Sequence, residues 1–278
     1  MSLITFGLNT GNTVQATADT CLVQGYPNTV QGAGNRFYVS NVSGSQNKSL
    51  VFFSGIKAAL DAIGPLTINS VTLRLRRLNN VTAPSRNIEV RRLLVTFTEA
   101  QATWNNRATA TPWGAAGAIG AGDVESTPIG TAVMPSTGGA YFSVTGAAMK
   151  AWVEGILAGT FTDYGVTISL ENPTTVGSGD FDIASKEATD GQRPYLEIDY
   201  TVVAPPSLTI SDVTVNNHSG TATVVVSLSA GAPPGGVTVN YATQDDTATA
   251  PAYYTAASGT LTFAEGETTK NVTVSITP

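Results

Sequence analysis

The chain has 278 residues, a length that suits two domains of ordinary size. Charged residues make up only 12% and hydrophobic residues 42%, which excludes a largely disordered chain. Abundant Thr, with 28 Gly and 14 Pro, predicts an all-β protein. The net charge of −6 argues against a nucleic-acid-binding protein, and a lone Cys21 and His218 leave no internal disulfide and no Cys or His zinc centre.

Strand patterns recur through the first part of the chain. Residues 66–76 alternate apolar and polar, which places Val71, Leu73 and Leu75 on one face of a strand. Other predicted strands lie at residues 88–95, 164–170 and 195–200.

Two short helices interrupt these strands, at residues 55–63 and 147–157. The second carries an apolar stripe at helical spacing, formed by Ala148, Met149, Trp152 and Ile156. Such a stripe is typical of a helix that packs on a sheet, and a ligand groove is the alternative interpretation.

The clearest boundary lies at residues 204–207, where Pro205 and Pro206 cannot continue a central strand. We therefore expect a first domain at residues 1–203 and a smaller one at residues 208–278. Turns rich in Gly and Pro separate the strands of the second domain, which favours a β-sandwich. Its predicted strands are residues 208–210, 221–228, 236–241, 259–263 and 270–276.

Several segments of the first domain occur in the order of a known β-sandwich family. They are residues 67–75, 97–100, 102–106, Trp152 with residues 163–165, residues 185–187 and residues 193–196. With these segments, residues 12–203 resemble the DNRLRE family, which is grouped with carbohydrate-binding modules. Phe97 stands where that family usually has Trp. The resemblance implies a jelly-roll-like sandwich that is non-catalytic, extracellular and sometimes binds polysaccharide.

Four segments of the second domain follow the order of another known family: residues 226–229, 237–243, 246–250 and 258–263. With these segments, the second domain resembles a Calx-β domain, an immunoglobulin-like calcium-binding sandwich. Tyr253 and Tyr254 replace the family's Asp-Tyr pair, residues 216–220 replace an early Glu-Gly, and residue 278 falls before the final acidic hairpin. We therefore expect a shortened domain without the family's calcium site. One hypothesis is that a neighbouring chain covers its open strand edges, and the alternative is a smaller unit that closes without help. Asp245 and Asp246 are interpreted as turn residues.

Trp104 and Asn105 are candidate ligand-binding residues, because an aromatic face and an amide together suit a sugar ring. In the resembling family this Trp-Asn-Asn turn is structural, so inward packing of Trp104 is the favoured interpretation.

Half of the basic residues fall between residues 74 and 107, and Arg74 and Arg76 share one face of a strand. If Arg91 or Arg92 extends that face, the resulting stripe suits an acidic polysaccharide or an acidic partner surface. The alternative is an outward polar face on which Glu89, Glu99 and other acids neutralise the arginines.

The acids offer a weaker hypothesis. Asp19 and Asp199 lie near the two ends of the first domain, and their oxygens are candidate calcium ligands if the strands that carry them are adjacent. No other cofactor is expected. A glycosidase needs two facing carboxylates, and the sequence singles out no such pair.

We expect a non-enzymatic protein, because no catalytic set of residues emerges. No leader is visible after Met1, and no stretch reaches the ~18 apolar residues of a spanning helix. Extracellular-type modules without a leader suggest release by lysis, so the prediction is a homo-oligomeric bacteriophage surface protein: a capsid decoration, head fibre or tail-fibre component. The alternative is a polysaccharide-binding module of a secreted or cell-surface protein.

Overall fold

The computed structural model describes residues 2–6, 16–42, 44–78, 85–171, 181–189, 191–233 and 235–278. These residues form two compact units, Met1–Val202 (unit 1) and Val203–Pro278 (unit 2). Strands dominate both units and confirm the all-β prediction. The two helices of the described residues, α1 (Ile56–Asp61) and α2 (Ala147–Leu157), lie in unit 1.

The strands, numbered in chain order, are β1 (Ser2–Phe6), β2 (Ala16–Val23), β3 (Arg36–Val42), β4 (Ser45–Phe53), β5 (Leu66–Arg76), β6 (Arg86–Arg92), β7 (Asn106–Ala108), β8 (Thr111–Pro112), β9 (Gly130–Met134), β10 (Tyr141–Thr145), β11 (Val166–Leu170), β12 (Phe181–Ala184), β13 (Tyr195–Val202), β14 (Leu208–Ile210), β15 (Thr221–Leu228), β16 (Val237–Ala242), β17 (Ser258–Phe263) and β18 (Thr269–Ser275).

Unit 1 is a sandwich of two main sheets. A four-stranded sheet has the order β1-β13-β5-β10, and a seven-stranded sheet has the order β12-β3-β4-β11-β6-β9 with β2 also paired to β4. All of these pairings are antiparallel. Apolar residues of both sheets share one core, so the sheets pack face to face.

The buried face of β5 shows why this sandwich forms. Val71, Leu73 and Leu75 lie on that face and are at most 1% exposed, as the alternation predicts. Helix α2 packs against β5 and α1. Trp152 and Ile156 of its predicted stripe are buried, whereas the prediction for Ala148 is wrong because Ala148 lies in the exposed first turn of α2.

A second apolar cluster covers part of the outer face of the seven-stranded sheet. Leu50 belongs to this outer cluster while its neighbour Val51 belongs to the inner core, because successive strand residues point to opposite faces. The residues that cover Leu50 come from the segment after β6 and include Leu93, Phe97 and Trp104. The sheet is therefore buried on both faces here.

Unit 2 contains a three-stranded sheet, β14-β15-β18, and a two-stranded sheet, β16-β17. Its core is small and centres on Phe263, which is fully buried beside Val226, Leu228 and Val272. β14 and β18 are the outer strands of the larger sheet within the described residues.

Candidate functional site

Trp104 is packed inside unit 1 and offers no face to a ligand. It is only 6% exposed within the outer cluster, and its carbonyl accepts a hydrogen bond from the Gly117 N–H at 2.7 Å. A Cβ atom added to Gly117 would lie 2.6 Å from the Trp104 ring, so only glycine permits this approach. The assignment of Trp104 as a sugar platform is wrong, and inward packing is correct.

Asn105 serves the same local structure. Its side chain donates to Asn28 Oδ1 at 2.8 Å and its backbone N–H donates to the Pro27 carbonyl at 3.1 Å. These bonds tie the turn after Trp104 to the loop after β2. With Trp104 buried, Asn105 is left without the aromatic partner on which the proposed sugar site depended.

The predicted arginine stripe does not form, because its members lie on different sheets. Arg74 and Arg76 are on β5 of the four-stranded sheet, whereas Arg91 is on β6 of the seven-stranded sheet. Arg74 pairs with Glu197 at 2.7 Å, and the Arg76 guanidinium lies 5.5 Å from the centre of the Tyr141 ring. The hypothesis of one basic surface through all three is therefore wrong.

Asp19 and Asp199 do not meet. Asp19 is on β2, which pairs with β4, whereas Asp199 is on β13 of the other sheet. Asp199 accepts a 3.4 Å hydrogen bond from the Asn69 amide. The strands are not adjacent, so the prediction of a calcium site between these two residues is wrong.

Asp19 instead lies with two acids that sequence reasoning did not connect to it. The carboxylate oxygens of Asp19, Glu99 and Glu187 lie within 4.8 Å of one another, the sole such acidic trio that the described residues contain. The Lys186 ammonium forms an ion pair with Glu99 at 2.7 Å and also contacts Glu187. The backbone N–H of Lys186 donates a hydrogen bond to Asp19 Oδ2 at 2.5 Å. We call these four residues the acid cluster.

The electrostatics of the acid cluster follow from burial. The pKa of the Asp19 carboxyl is raised to about 8. Desolvation is the largest cause, and the charges of Glu187 and Glu99 add to it, whereas the Lys186 N–H and ammonium act in the opposite direction. Burial alone lowers the pKa of the Lys186 ammonium, but its bonds to Glu187 and Glu99 more than offset this and raise it. The raised pKa favours the protonated form of Asp19 near neutral pH, and Lys186 is the cation that holds the two glutamates.

This assignment predicts how stability depends on pH. The folded-state pKa of Asp19 lies above its ordinary value of 3.8, so its contribution to stability is complete below about pH 4 and is lost as pH rises to about 8. We expect Asp19→Asn, whose side-chain oxygen still accepts from Lys186, to flatten that decline and to be more stable than the wild type at pH 9. Urea unfolding at pH 5, 7 and 9 measures the free energy of unfolding of both proteins.

The control for this experiment is Asp199→Asn, which removes a carboxylate from the partly exposed face of β13. It should keep the pH profile of the wild type. A profile for Asp19→Asn that coincides with that of Asp199→Asn would show that Asp19 is ionised in the fold.

A polar cavity of about 380 Å³ opens on the seven-stranded sheet; the sequence does not predict it, although Arg91 and Glu89 of its lining are among the charged residues that the sequence points to. Lys48 lies in its wall, and burial lowers the pKa of the Lys48 ammonium to about 8, with Glu89 raising it and Arg91 lowering it. Arg91 binds Glu89 through two contacts of 2.9 and 3.0 Å. We call this site the Lys48 cavity.

A second cavity of about 300 Å³ lies beside the acid cluster, between Phe52, Phe97, Glu99 and Tyr164. Asp163 also lines it, and burial raises the pKa of the Asp163 carboxyl to about 6, against the Gly165 N–H that donates to it at 3.0 Å. Glu99 is already bound to Lys186. Of the two acids that line this cavity, Asp163 is therefore the one whose carboxyl has no ion-pair partner among the described residues.

In unit 2 the acids that remain from the resembling family are used locally. Asp245 accepts hydrogen bonds from the Tyr254 hydroxyl at 2.6 Å and from the Ala250 N–H at 2.8 Å, and these bonds lower the pKa of the Asp245 carboxyl. Asp245 thus fixes the turn that follows β16, and Tyr254, one of the two tyrosines in the family's Asp-Tyr position, supplies one of its bonds.

These features define the chain as a two-unit all-β protein, in which a β-sandwich with a polar cavity and paired surface charges is followed by a smaller all-β module. Residues 205–278 match the family model of the Calx-beta domain, which confirms the resemblance predicted for the second domain. Calx-beta domains are non-catalytic β-sandwich modules of extracellular type. The resemblance of residues 12–203 to the DNRLRE family stays a prediction.

The chain has no match among curated proteins. Neither helix in the described ranges is long and apolar enough to cross a membrane.

Proposed function

We propose that the chain is a non-catalytic structural and adhesive protein of an extracellular assembly, present as a homo-oligomer, and that this assembly is a virion surface. Capsid decoration, a head fibre and a tail fibre are the forms proposed. The match of residues 205–278 to an extracellular-type module supports the general role. An exposed apolar strip of unit 2 supports the contact between subunits.

The apolar strip consists of Leu208, Ile210, Val213 and Val215, which are between 37% and 64% exposed within one short segment. β14, which carries the first two, pairs with β15 on one side, and the described residues place no strand on its other side. An exposed apolar strip beside an open strand edge favours contact with another subunit, which buries both. We therefore place the subunit contact there.

A single charge in the strip tests this contact. We expect the wild type to sediment as an oligomer and Ile210→Asp to sediment as a monomer, because a desolvated carboxylate opposes burial of the strip. Val133→Asp on β9 is the matched control, since Val133 is 61% exposed and Ile210 is 64% exposed. A wild type that stays monomeric at high micromolar concentration, or equal effects of both substitutions, would contradict the proposal.

The virion assignment has its own test. Mass spectrometry of purified phage particles is expected to find the chain in many copies per particle, and antibodies against it should label the particle surface. Recovery of the chain from the surface of uninfected cells, with none in particles, would overturn the virion assignment and leave the general role intact.

A polysaccharide-binding module is the second candidate, and the Lys48 cavity favours it. Sugar-binding sites combine polar side chains in a preformed concave surface, and this cavity offers both on a rigid sheet. The candidate sugar-binding residues at Trp104 do not support it, because that ring is buried.

A further inference from the structure

The Lys48 cavity contains a charge that the protein does not neutralise by direct contact. Among the described residues, no carboxylate forms an ion pair with Lys48, although burial already makes its ammonium costly. We propose that this cavity binds a hydroxylated carboxylate whose carboxylate group contacts the Lys48 ammonium. Two kinds of molecule carry such a group: an acidic sugar unit of a polysaccharide and a free hydroxy acid. The inference rests on the polysaccharide-binding candidate only for the first of them.

The neighbouring acid cannot serve Lys48 in place of a ligand. Both oxygens of Glu89 are engaged by Arg91, and Glu89 Oε1 also accepts from the Ser169 hydroxyl at 3.3 Å. Arg91 is further fixed by donating to the Glu125 carbonyl at 3.2 Å. These bonds hold Glu89 and Arg91 as a mutually neutralised pair. Glu171 also lines the cavity, but it is exposed and forms no ion pair with Lys48 within the described residues, so the Lys48 ammonium is the group that an anion can contact.

Uncharged groups near Lys48 suit hydroxyls. Gln46 and Lys48 are two residues apart on β4, so their side chains leave the same face of the sheet about 6.6 Å apart. Asn41 on β3 is the register partner of Gln46 and also lines the cavity. Both amides can donate to and accept from hydroxyl groups. One sugar-sized molecule can therefore contact the ammonium and the amides together.

The charge of Lys48 also predicts how binding depends on pH. The charged groups that line the cavity around it are Glu89 and Arg91 on β6 and Glu171 after β11. The Lys48 ammonium, with a pKa of about 8, loses its proton between pH 7 and pH 9.5. Affinity for a carboxylate should therefore fall across this range.

Calorimetric titration of the full chain tests the inference with three probes: a galacturonic acid trimer, the neutral galactose trimer and free gluconate. We expect the acidic trimer or gluconate to bind at pH 7, the neutral trimer to bind at least tenfold more weakly, and the affinity to fall at least fivefold at pH 9.5. Lys48→Met, which keeps most of the aliphatic stem, should lower the affinity at least tenfold. Lys150→Met on α2 is the control and should bind as the wild type does.

The outcomes separate this inference from the polysaccharide-binding candidate. Binding of gluconate through Lys48 without binding of the acidic trimer supports the cavity inference and contradicts a polysaccharide ligand. Binding of either trimer unchanged by Lys48→Met supports a polysaccharide ligand and overturns the cavity inference. Absence of carboxylate binding at millimolar concentration also overturns it, provided that circular dichroism shows both variants folded.

Discussion

Replacing Trp104 with alanine is expected to lower the free energy of unfolding of unit 1 by about 3–5 kcal/mol, the usual cost of removing a buried indole. Trp104 is 6% exposed, and Phe97, Trp113 and Leu93 lie in the same outer cluster. Its loss leaves a cavity over the outer face of the seven-stranded sheet. Urea unfolding followed by far-ultraviolet circular dichroism measures the change without depending on tryptophan fluorescence.

Two further variants define what Trp104 does. Gly117→Ala should also be destabilising, because Gly117 has a φ of +81°, which disfavours any residue with a side chain, and the new methyl group would press on the Trp104 ring. Tyr26→Ala is the surface control, since Tyr26 is 65% exposed, and should change stability by less than about 0.5 kcal/mol. A Trp104→Ala protein of normal stability would contradict the buried position and restore the ring as a binding candidate.

The strands and helices nearest the inner core could be predicted from the sequence because one physical rule governs them. β5 and α2 have the predicted bounds, residues 66–76 and 147–157, since each element has one face or stripe that must be buried. A period of two or of 3.6 in the apolar residues records that burial directly. The pattern fails at Ala148, in the first turn of α2, where the helix extends past its packing surface.

The sheet that each strand joins could not be predicted in the same way. β5 and β6 are consecutive strands with similar patterns, yet β5 lies between β13 and β10, and β6 lies between β11 and β9. Alternation states which side chains face the core but contains no information on which neighbour a strand selects. The predicted stripe through Arg74 and Arg91 assumed that the two strands were paired, and it was wrong for that reason.

The acid cluster depends on contacts between distant loops, which a single sequence does not encode locally. Asp19 comes from β2, Glu99 from the turn after β6, and Lys186 and Glu187 from the turn after β12. The sequence indicates Asp19 as a candidate metal ligand but pairs it with Asp199, which lies on the other sheet. Glu99 and residues 185–187 belong to segments that resemble the DNRLRE family, and that pattern does not indicate that they meet.

Replacing Lys186 with methionine is expected to lower the free energy of unfolding by about 3 kcal/mol at pH 8. Removal of one partner from a buried ion pair costs ~3–5 kcal/mol. The side chains of Glu99, Glu187 and Lys186 are 22–27% exposed, which places the effect at the lower end. The backbone N–H of Lys186 still donates to Asp19 in the variant, so the change isolates the ammonium.

The pH dependence distinguishes this mechanism from simple loss of packing. Without the ammonium, the like charges of the acid cluster repel one another with no cation between them, and this repulsion weakens as pH falls because carboxylates take up protons. The difference between Lys186→Met and the wild type should therefore be largest at pH 8 and smaller at pH 5. Adding Glu99→Gln and Glu187→Gln to Lys186→Met should recover part of the loss at pH 8.

Lys150→Met is the matched control for Lys186→Met, because Lys150 pairs with Glu154 one helical turn away at 3.5 Å on the surface of α2. Such an exposed pair contributes about 0.5 kcal/mol or less, and its loss should show little change between pH 5 and pH 8. Equal losses for the two lysine variants at pH 8 would mean that the acid cluster is as well solvated as a surface pair. Because Glu99 and Glu187 each have a side-chain oxygen shielded from water, we expect Lys186→Met to lose several times more.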